Sequence, residues 1–339
     1  MLLLNRINKE ILKEKLKNEP FKRRTLSFYR YINILNPADF RDKLFQEWNK
    51  LNCFGRVYIA KEGINSQMSV PEHHLAIFLE LLAQHPELTN VPIKYAIEDN
   101  GKSFYKLTIK VRHKIVADGL DEGSYDLSKV GIHLPPLEFH DAVDIPDTII
   151  VDMRNHYESE IGRFAQAYCP DADTFKHALQ LVTDEFKHQK DKKILLYCTG
   201  GIRCEKASSY LIHHGFSNVF QLSGGIIEYA QQIKKHDLPS KFVGKNFVFD
   251  DRLGESVNGQ IISHCHQCGK PADTHTNCAN NDCHILFIQC SECMEKYNGC
   301  CSEDCKHINS LPVEEKKQFK VLRQSKYARS KIFNKLDHR

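Results

Sequence analysis

Apolar and polar positions alternate with two different periods along the first third of the chain. Five stretches carry apolar residues at every second position and are predicted to be strands, over 26–34, 55–60, 65–70, 93–97 and 104–111. Helical spacing begins at Asn36-Pro37 and again at Pro71, and proline suits the first turn of a helix. Between the second and third strands, Lys61-Glu62-Gly63-Ile64 is typical of a hairpin turn.

The order of these elements indicates a fold. Strand, helix, two strands, helix and strand form the ferredoxin-like α+β plan, which we expect over residues 21–115. Such sheets often bind RNA, but many do not, so the plan by itself assigns no function. Residues 1–20 are predicted to form a short N-terminal helix whose apolar face is formed by Ile7, Ile11, Leu12 and Leu16.

A stretch that contains several glycines and prolines, over 112–147, follows this domain. It shows neither period, so little regular structure is expected, and residues 116–146 are predicted to be a linker. Glu138 and His140 lie within it. They are candidates for a functional role, but polar contacts of an ordered linker explain them more simply.

Strands and helices alternate from residue 147 to residue 240. The predicted strands end at Asp152, Tyr197 and Leu222, and a helix follows each of the last two. Alternation of this kind predicts a parallel sheet covered by helices. In such sheets the functional groups gather at the carboxyl ends of the strands.

One of these carboxyl ends carries reactive and positively charged groups. The strand that ends at Tyr197 is followed by Cys198-Thr199-Gly200-Gly201-Ile202-Arg203-Cys204 and a helix that is expected to begin near Cys204. In a strand–loop–helix of this kind, backbone N–H groups converge on one concavity, and the helix N-terminus adds positive potential. Cys198 is therefore predicted to be a reactive thiolate, with Arg203 as a permanent cation beside it.

The length of the loop separates two chemistries. Four residues lie between Cys198 and Arg203, one fewer than in the Cys-x5-Arg loops of protein phosphatases and arsenate reductases. The shorter loop resembles the rhodanese active-site loop, where the cysteine carries a persulfide. Asp152-x-Arg154 likewise resembles the early rhodanese signature, in which the acid and the arginine brace the loop from behind.

Two simpler interpretations remain open for these cysteines. Cys198 can be a buried residue that ends a parallel strand, although the glycines, the arginine and the helix start together favour catalysis. Cys204 can be a resolving thiol, but a small apolar residue in the first helical turn explains it more simply.

Composition narrows the class of protein. Hydrophobic residues make up 41% and charged residues 27% of the 339, as in a globular chain of two or three domains. Met1-Leu2-Leu3-Leu4 is too short for the apolar region of a signal peptide, and no stretch approaches a membrane span. We therefore expect a cytoplasmic protein with no membrane partner. The net charge of +4 is modest, so a polyanionic partner would have to bind local patches.

Nine of the thirteen cysteines crowd between Cys265 and Cys305. In a reducing compartment such crowding indicates metal ligands rather than disulfides. Close spacing lets one turn present two sulfurs, and four sulfurs form a tetrahedral zinc site. Residues 241–310 are therefore predicted to hold an extended segment and a module with two structural zincs. The preferred ligand sets are Cys265, Cys268, Cys290 and Cys293, and Cys278, Cys283, Cys301 and Cys305.

Alternatives to this metal module start from the same residues. Some pairs can be degenerate, with the module folding around the apolar run Ile285-Leu286-Phe287-Ile288. Five histidines are substitute ligands: His264, His266, His275, His284 and His307. After the cysteine-rich module, residues 311–339 form a basic tail that contains aromatic residues. Such a tail suits binding to RNA phosphates, but it can also be a solvated terminus.

The whole layout resembles the rhodanese-domain tRNA uridine hydroxylase family. The resemblance rests on the run from Gly55 to Asn65, the loop from Cys198 to Ser208 and the cysteine-rich end, and it extends to roughly Cys305. It departs at Ser66, where the family has glycine. It implies an α/β multidomain protein with a ferredoxin-like α+β domain, a rhodanese-like parallel α/β domain over 147–240 and a small cysteine-rich module.

The resemblance also implies an activity. This is oxygen-dependent formation of 5-hydroxyuridine at the wobble position of tRNA, with dioxygen as co-substrate and Cys198 as the catalytic, persulfide-bearing cysteine. The residues themselves indicate a reactive cysteine and an RNA partner. They contain no recognisable haem, flavin or non-haem iron motif, and they specify neither an electron donor nor an oligomeric state.

Two other functions compete with this one. The first is a persulfide sulfurtransferase that passes sulfur to RNA or to a protein acceptor. The second is a zinc- and RNA-binding protein with a vestigial rhodanese domain, which the intact Cys198 and Arg203 disfavour.

Overall fold

In a computed structural model of the chain, residues 8–101, 103–121, 123, 125–312 and 315–316 are described. They form two units. The first comprises the described residues up to Asn155, Gln166–Ser240 and Val248–Arg252. The second comprises His156–Ala165, Lys241–Phe247 and the described residues from Leu253 onward. Most of the predicted basic tail lies outside the described residues.

The first domain of the first unit is a five-stranded sheet with helices. Its elements are α1 (Lys9–Lys17), β1 (Arg23–Tyr31), α2 (Pro37–Lys50), β2 (Phe54–Ala60), β3 (Gly63–Pro71), α3 (Leu75–Gln84), β4 (Lys94–Tyr95) and β5 (Leu107–Val111). The strand order is β4-β1-β3-β2-β5. β3 is antiparallel to β1 and β2, β4 is antiparallel to β1, and β5 is parallel to β2. The predicted ferredoxin-like fold is confirmed, and the fifth predicted strand, over 104–111, is β5 at one edge of the sheet.

Local sequence explains how these elements form and pack. Asn36 caps α2 by accepting a hydrogen bond from the Asp39 N–H, and Pro37 occupies the first turn. Phe40, Leu44 and Trp48 are buried on the helix face that packs in the sheet core.

The face predicted for the N-terminal helix is wrong at Ile11, which is 52% exposed, whereas Leu12 is buried. Helix α1 is only nine residues long, so few of its side chains can be buried. Ile7 lies outside the described residues.

The second domain is built from elements between residues 132 and 235. In chain order these are β6 (Ile132–Leu134), α4 (Pro136–Ala142), β7 (Ile149–Asp152), α5 (His156–Glu160), β8 (Gly162–Phe164), α6 (Phe175–Glu185), β9 (Ile194–Tyr197), α7 (Ile202–His213), β10 (Val219–Leu222) and α8 (Gly225–Lys235). Four of the strands form a parallel sheet in the order β6-β10-β9-β7, as predicted. Elements α5 and β8 belong to the second unit.

The expectation of little regular structure over 112–147 is wrong in its second half. Strand β6 pairs with β10 at the edge of the parallel sheet, and α4 follows it. A strand of three residues is too short to show a period, which is why the pattern did not indicate it. His140 is buried and forms a hydrogen bond with the Tyr229 hydroxyl at 3.0 Å. This is a polar contact within an ordered segment, which was the simpler explanation of this residue.

The second unit contains short strands and two small helices besides α5 and β8. Its further elements are β11 (Phe242–Asn246), β12 (Glu255–Ser256), β13 (His275–Asn277), β14 (Leu286–Ile288), α9 (Ser291–Tyr297) and α10 (Glu303–Ser310). β11 pairs antiparallel with both β8 and β12, and β13 pairs with β14. In neither unit does the described part of the chain include a helix long and apolar enough to span a membrane.

Candidate active site and cysteine clusters

Cys198 directly follows β9 and is fully buried at the start of the predicted loop. The backbone N–H of Gly201 donates a hydrogen bond to its Sγ at 3.2 Å. Gly201 has a φ of 98° and is the N-cap of α7, so the chain turns from strand to helix around the sulfur. A β-carbon at Gly201 would lie 2.8 Å from the Tyr29 hydroxyl, and glycine is therefore required there.

The loop is held from the other side by the beginning of α8. Backbone N–H groups of Ile226 and Ile227 donate to the carbonyl oxygens of Cys198 and Thr199, at 3.0 and 3.2 Å. Gly225 has a φ of 67°, and a β-carbon there would lie 2.6 Å from both carbonyl oxygens. The two glycine-containing turns thus fix the cysteine loop between two helix N-termini.

The surroundings of Cys198 stabilise its thiolate. Burial by itself would raise the pKa of the thiol. A hydrogen bond with the Cys204 thiol, the Arg203 guanidinium, and the backbone N–H groups of Cys204 and Arg203 overcome this effect and lower the pKa to about 6. Cys204 is also fully buried, and burial together with its contact to Cys198 raises the pKa of its own thiol. Cys198 is therefore the thiolate of the pair, and Cys204 is its hydrogen-bond donor.

The other predicted loop residues lie around this sulfur. The Arg203 guanidinium is buried, donates to the Thr199 hydroxyl at 3.4 Å and lies 5.8 Å from the Phe249 ring centre. Gly200 follows Thr199 in the turn, and Ile202 is the first residue of α7. The structure therefore brings all seven predicted loop residues, 198–204, to one end of the parallel sheet.

Asp152 and Arg154 form a buried ion pair beside the strand that carries Cys198. Arg154 donates through Nε and Nη2 to the Asp152 carboxylate, at 2.9 and 2.6 Å, and both side chains are fully buried. The guanidinium lies 5.8 Å from the ring centre of Tyr197, whose carbonyl accepts the Met153 N–H. The pair thus contacts the residue directly before Cys198.

The first domain contributes side chains that the sequence did not single out as functional. Tyr29 on β1 donates to the Glu205 carboxylate at 2.9 Å, and Tyr31 donates to the Ile202 carbonyl at 3.2 Å. Both belong to the strand face opposite the core residue Phe28. Two tyrosines on the non-core face of a strand were the available signal that a second surface would be covered.

Glu205 gathers three hydrogen bonds at the start of α7. Besides Tyr29, His133 contacts its carboxylate at 2.9 Å and Gln221 donates to it at 3.0 Å. Burial would raise the pKa of Glu205, but these contacts outweigh it and lower the pKa. Glu205 therefore carries a negative charge that is fully engaged.

Lys206 joins the two domains of the first unit one residue further on. Its buried ammonium lies 2.9 Å from the Glu62 carboxylate and 2.8 Å from that of Asp118. Glu62 belongs to the turn between β2 and β3, so the predicted hairpin is tied to α7. This contact fixes the first domain against the helix that follows the cysteine loop.

Lys94 on β4 lies against the same loop. The residue is 7% exposed, and its ammonium lies 4.6 Å from the ring centre of Tyr29. Its side chain passes within about 4 Å of the positions that β-carbons would take at Gly200 and Gly224. Burial lowers the pKa of Lys94. The alternation over 93–97 predicts the strand, but it does not show that the cysteine loop covers Lys94.

The second unit brings the eight predicted cysteines together in the two predicted groups. Within each group the four sulfur atoms lie within 4.8 Å of one another. Two sulfur pairs, Cys268–Cys290 and Cys283–Cys301, are 3.6 and 3.7 Å apart. Four sulfurs at about 2.3 Å from a zinc ion, at the corners of a tetrahedron, are about 3.8 Å apart. The residues present therefore fit a tetrahedral zinc ion in each group.

Backbone N–H groups donate to sulfurs of both cysteine groups, and the candidate histidines lie outside these groups. N–H groups of Cys293 and Cys301 donate to the sulfurs of Cys290 and Cys278, at 3.5 and 3.4 Å. None of the five histidines considered as substitutes, all within the described residues, belongs to either group. His266 instead contacts Glu160 at 3.0 Å, and His275 packs against aromatic rings, where burial lowers its pKa to about 4.

The fold and the site define a class of protein. A parallel α/β domain with a buried, low-pKa cysteine in a four-residue Cys–Arg loop follows an α+β domain and precedes cysteine clusters. Family models match accordingly: a UPF0176 acylphosphatase-like domain at residues 23–115, a rhodanese-like domain at 135–232 and a rhodanese C-terminal region at 243–306.

Curated relatives narrow the class to one family. A tRNA uridine(34) hydroxylase of Photorhabdus laumondii is 50% identical over 339 residues, which cover 100% of this chain and 96% of that protein. Proteins of the same name from Hamiltonella defensa and Yersinia enterocolitica are each 51% identical over 335 residues. These alignments cover 98% of this chain and 94% and 95% of the relatives. The chain belongs to the tRNA uridine(34) hydroxylase family.

Proposed function

We propose that this protein hydroxylates uridine 34 of tRNA in a dioxygen-dependent reaction and that Cys198 is its catalytic cysteine. The observation that carries the proposal is the thiol of Cys198, buried yet held as a thiolate, in a chain half identical over its full length to hydroxylases of that name. A thiolate in a water-excluded nest of N–H donors is a prepared nucleophile or persulfide carrier.

The residues around Cys198 have separable roles in this proposal. Arg203 and the N–H groups of the loop stabilise negative charge on the sulfur, and the Cys204 thiol donates a further hydrogen bond. Asp152 and Arg154 support the strand end. Replacing C5–H of uridine by C5–OH with one atom of dioxygen leaves the second oxygen atom, which two electrons and two protons reduce to water. The reaction therefore also requires a two-electron donor.

A cleft in the first unit supports an RNA partner. It has a volume of about 1020 Å³. Its basic lining residues are Lys61, Arg112, His113, Lys114, Lys129 and His213. The lysines and the arginine suit RNA phosphates, because phosphate contacts release counterions. Three carboxylates, Glu62, Asp121 and Asp126, also line the cleft, and Lys114 is paired with Asp118. Helix α7 extends from the cysteine loop to His213 at this cleft, over about 17 Å at 1.5 Å per residue. We propose that tRNA lies along this path and that the protein acts in the cytoplasm.

The two cysteine clusters are proposed to bind structural zinc. The first would use Cys265, Cys268, Cys290 and Cys293, and the second Cys278, Cys283, Cys301 and Cys305. Four thiolates leave no open position on the metal, so such ions fix a fold rather than activate water or dioxygen.

Oxygen dependence of the modification tests the proposed activity. Purified protein and unmodified tRNA, with a reductant, are expected to give modified uridine in air and none when dioxygen is removed. Cys198→Ala should abolish the product and leave tRNA binding largely intact. A product formed equally well without dioxygen, or by Cys198→Ala, would overturn the assignment.

A persulfide sulfurtransferase is the second candidate. It is favoured by the loop itself, since a low-pKa cysteine separated from an arginine by four residues matches the persulfide-carrying loop of rhodaneses. This reaction needs a sulfur donor but no dioxygen, so the same anaerobic experiment separates the two candidates.

A further inference from the structure

Lys94 is a buried cation that forms no ion pair at contact distance with any of the described residues. It is 7% exposed, and no carboxylate of the described residues lies within ion-pair distance of its ammonium, nor does any described residue accept a hydrogen bond from it. Its contact is the face of the Tyr29 ring, at 4.6 Å. An ammonium removed from water without a partner is costly, so its retention beside the cysteine loop calls for a ligand that supplies negative charge.

The nearest acids are engaged elsewhere. Glu205 accepts hydrogen bonds from Tyr29 and Gln221 and contacts His133, while the Glu228 carboxylate accepts from Gln232 at 2.8 Å. Cys198 carries a negative charge, but its stabilisation comes from Cys204, Arg203 and the loop backbone. Cys198, Glu228 and Glu205 attract the Lys94 ammonium electrostatically, but none of the three forms an ion pair or a hydrogen bond with it.

The position of Lys94 identifies the direction from which a ligand would come. Its side chain passes between the turns at Gly200 and Gly224, which precede α7 and α8. Two helix N-termini with a lysine between them create a region of positive potential. An aromatic ring next to a lysine is also a common environment for a nucleotide, since the ring contacts the base and the cation contacts the phosphate.

We propose that Lys94 binds a backbone phosphate adjacent to the target uridine and thereby places the base at Cys198. This inference rests on the proposed function, because it takes the substrate to be an RNA loop. Lysine recognises phosphate as a point charge, so the contact would position the nucleotide without reading its sequence. Lys94 is a positioning residue in this account, and Arg203 remains the cation of the thiolate.

A cycle that combines a protein change with a substrate change tests this pairing. The protein change is Lys94→Met, which is one atom shorter, keeps the unbranched shape of the side chain and removes its charge. The substrate is an anticodon stem-loop RNA in which the linkage on the 5′ or the 3′ side of uridine 34 is an uncharged methylphosphonate. Lys235→Met, at the exposed end of α8, is the matched control.

The expected losses are specific. Lys94→Met and one of the two methylphosphonates should each lower kcat/KM by about 10- to 100-fold, as for a hydrogen bond to a charged group. Combined, they should cost little more than either alone. Lys235→Met should leave kcat/KM unchanged. The pKa of Cys198 should rise less in Lys94→Met than in Arg203→Ala, because Arg203 is among the main groups that lower it.

Several results would overturn the inference. Lys94 contacts no adjacent phosphate if, for both linkages, the loss of kcat/KM caused by Lys94→Met multiplies with the loss caused by the methylphosphonate. The same conclusion follows if neither methylphosphonate lowers kcat/KM. A rise in the pKa of Cys198 in Lys94→Met as large as that in Arg203→Ala would make Lys94 a counterion of the thiolate instead. The RNA dissociation constant is measured in the same cycle and needs no turnover. If the two changes are coupled in RNA binding but no hydroxylation occurs, the proposed function is rejected and the phosphate contact is kept. If hydroxylation occurs but the two changes are not coupled, the phosphate contact is rejected and the proposed function is kept.

Discussion

At the level of single residues, Cys198 remains a thiolate although it is fully buried. Burial opposes ionisation of the thiol, and a small set of donors reverses that effect. Three of them belong to α7: the Cys204 thiol, the Arg203 guanidinium and the backbone of its first turn. The reactivity of the thiol is thus a property of a few atoms around it.

The pKa of Cys198 gives a prediction with a definite sign. Because the folded pKa is about 6, below the ordinary value of 9.0, the thiolate should persist at neutral pH and be lost as the pH falls through about 6. Activity that depends on the thiolate should fall in the same range. Cys204→Ala and Arg203→Ala should each shift the midpoint upward, and Arg203→Ala should lower activity without abolishing it.

The measurement is the difference in ultraviolet thiolate absorbance between wild type and Cys198→Ser across pH, which removes the signal of the other cysteines. A wild-type midpoint at the value of a free thiol would contradict the account of the loop. So would midpoints that neither substitution moves.

At the scale of the element, the cysteine loop depends on the close approach of the turn before α8. Gly225 supplies that approach with a left-handed backbone. Gly259 offers a matched comparison, since its φ of 75° is similar and nothing lies within 4 Å of the position of a β-carbon. The two glycines differ in surroundings rather than in conformation.

Gly225→Ala should therefore disrupt the active loop more than Gly259→Ala does. Both pay the cost of a left-handed alanine, roughly 1–2 kcal/mol. Only Gly225→Ala also drives a methyl group into two carbonyl oxygens, which should reduce the free energy of unfolding by about 1–3 kcal/mol more. Denaturant unfolding and the hydroxylation rate measure the two effects. Equal losses in the two variants would show that the loop does not depend on this contact.

The cysteine loop was predictable because its residues are contiguous and its spacing is specific, and the cysteine groups followed from close pairs. Tyr29 and Lys94 were not, because they come from another domain and no local period shows which surface will cover a loop. Strand β6 was missed because three residues carry no period. The predicted domain boundaries stay predictions, and the packing of His156–Ala165 with the second unit had no signal in its sequence.

At the scale of the whole molecule, the second unit is expected to depend on metal. Cys265→Ser should remove one zinc and Cys278→Ser the other, whereas Cys300→Ser should retain both. Cys300 is a matched control because it is buried in the same apolar cluster but belongs to neither ligand group. Metal analysis of protein purified without chelator should find about two zincs per wild-type chain, one per four thiolates. A wild-type chain without zinc, or a loss caused by Cys300→Ser, would reject the assignment.

The basic tail is expected to add to tRNA binding. Residues Gln318–Arg339 lie outside the described part of the chain, so this prediction rests on their composition. Deleting them should weaken tRNA binding and flatten its dependence on salt, because fewer counterions would be released. Lys234→Gln with Lys235→Gln, at the end of α8, is the control for simple loss of positive charge. Unchanged affinity and an unchanged salt slope after the deletion would remove the tail from the binding surface.

The origin of the atom added to uridine decides between hydroxylation and sulfur transfer. Ordinary mass measurement does not decide it, because adding oxygen to uridine and replacing one of its oxygens by sulfur give the same nominal mass change. With isotopically heavy dioxygen, the account predicts that the modified uridine carries the heavy oxygen and that Cys198→Ala gives no labelled product. Label that never enters tRNA, while heavy sulfur from a labelled persulfide does, would contradict the hydroxylase assignment and establish sulfur transfer in its place.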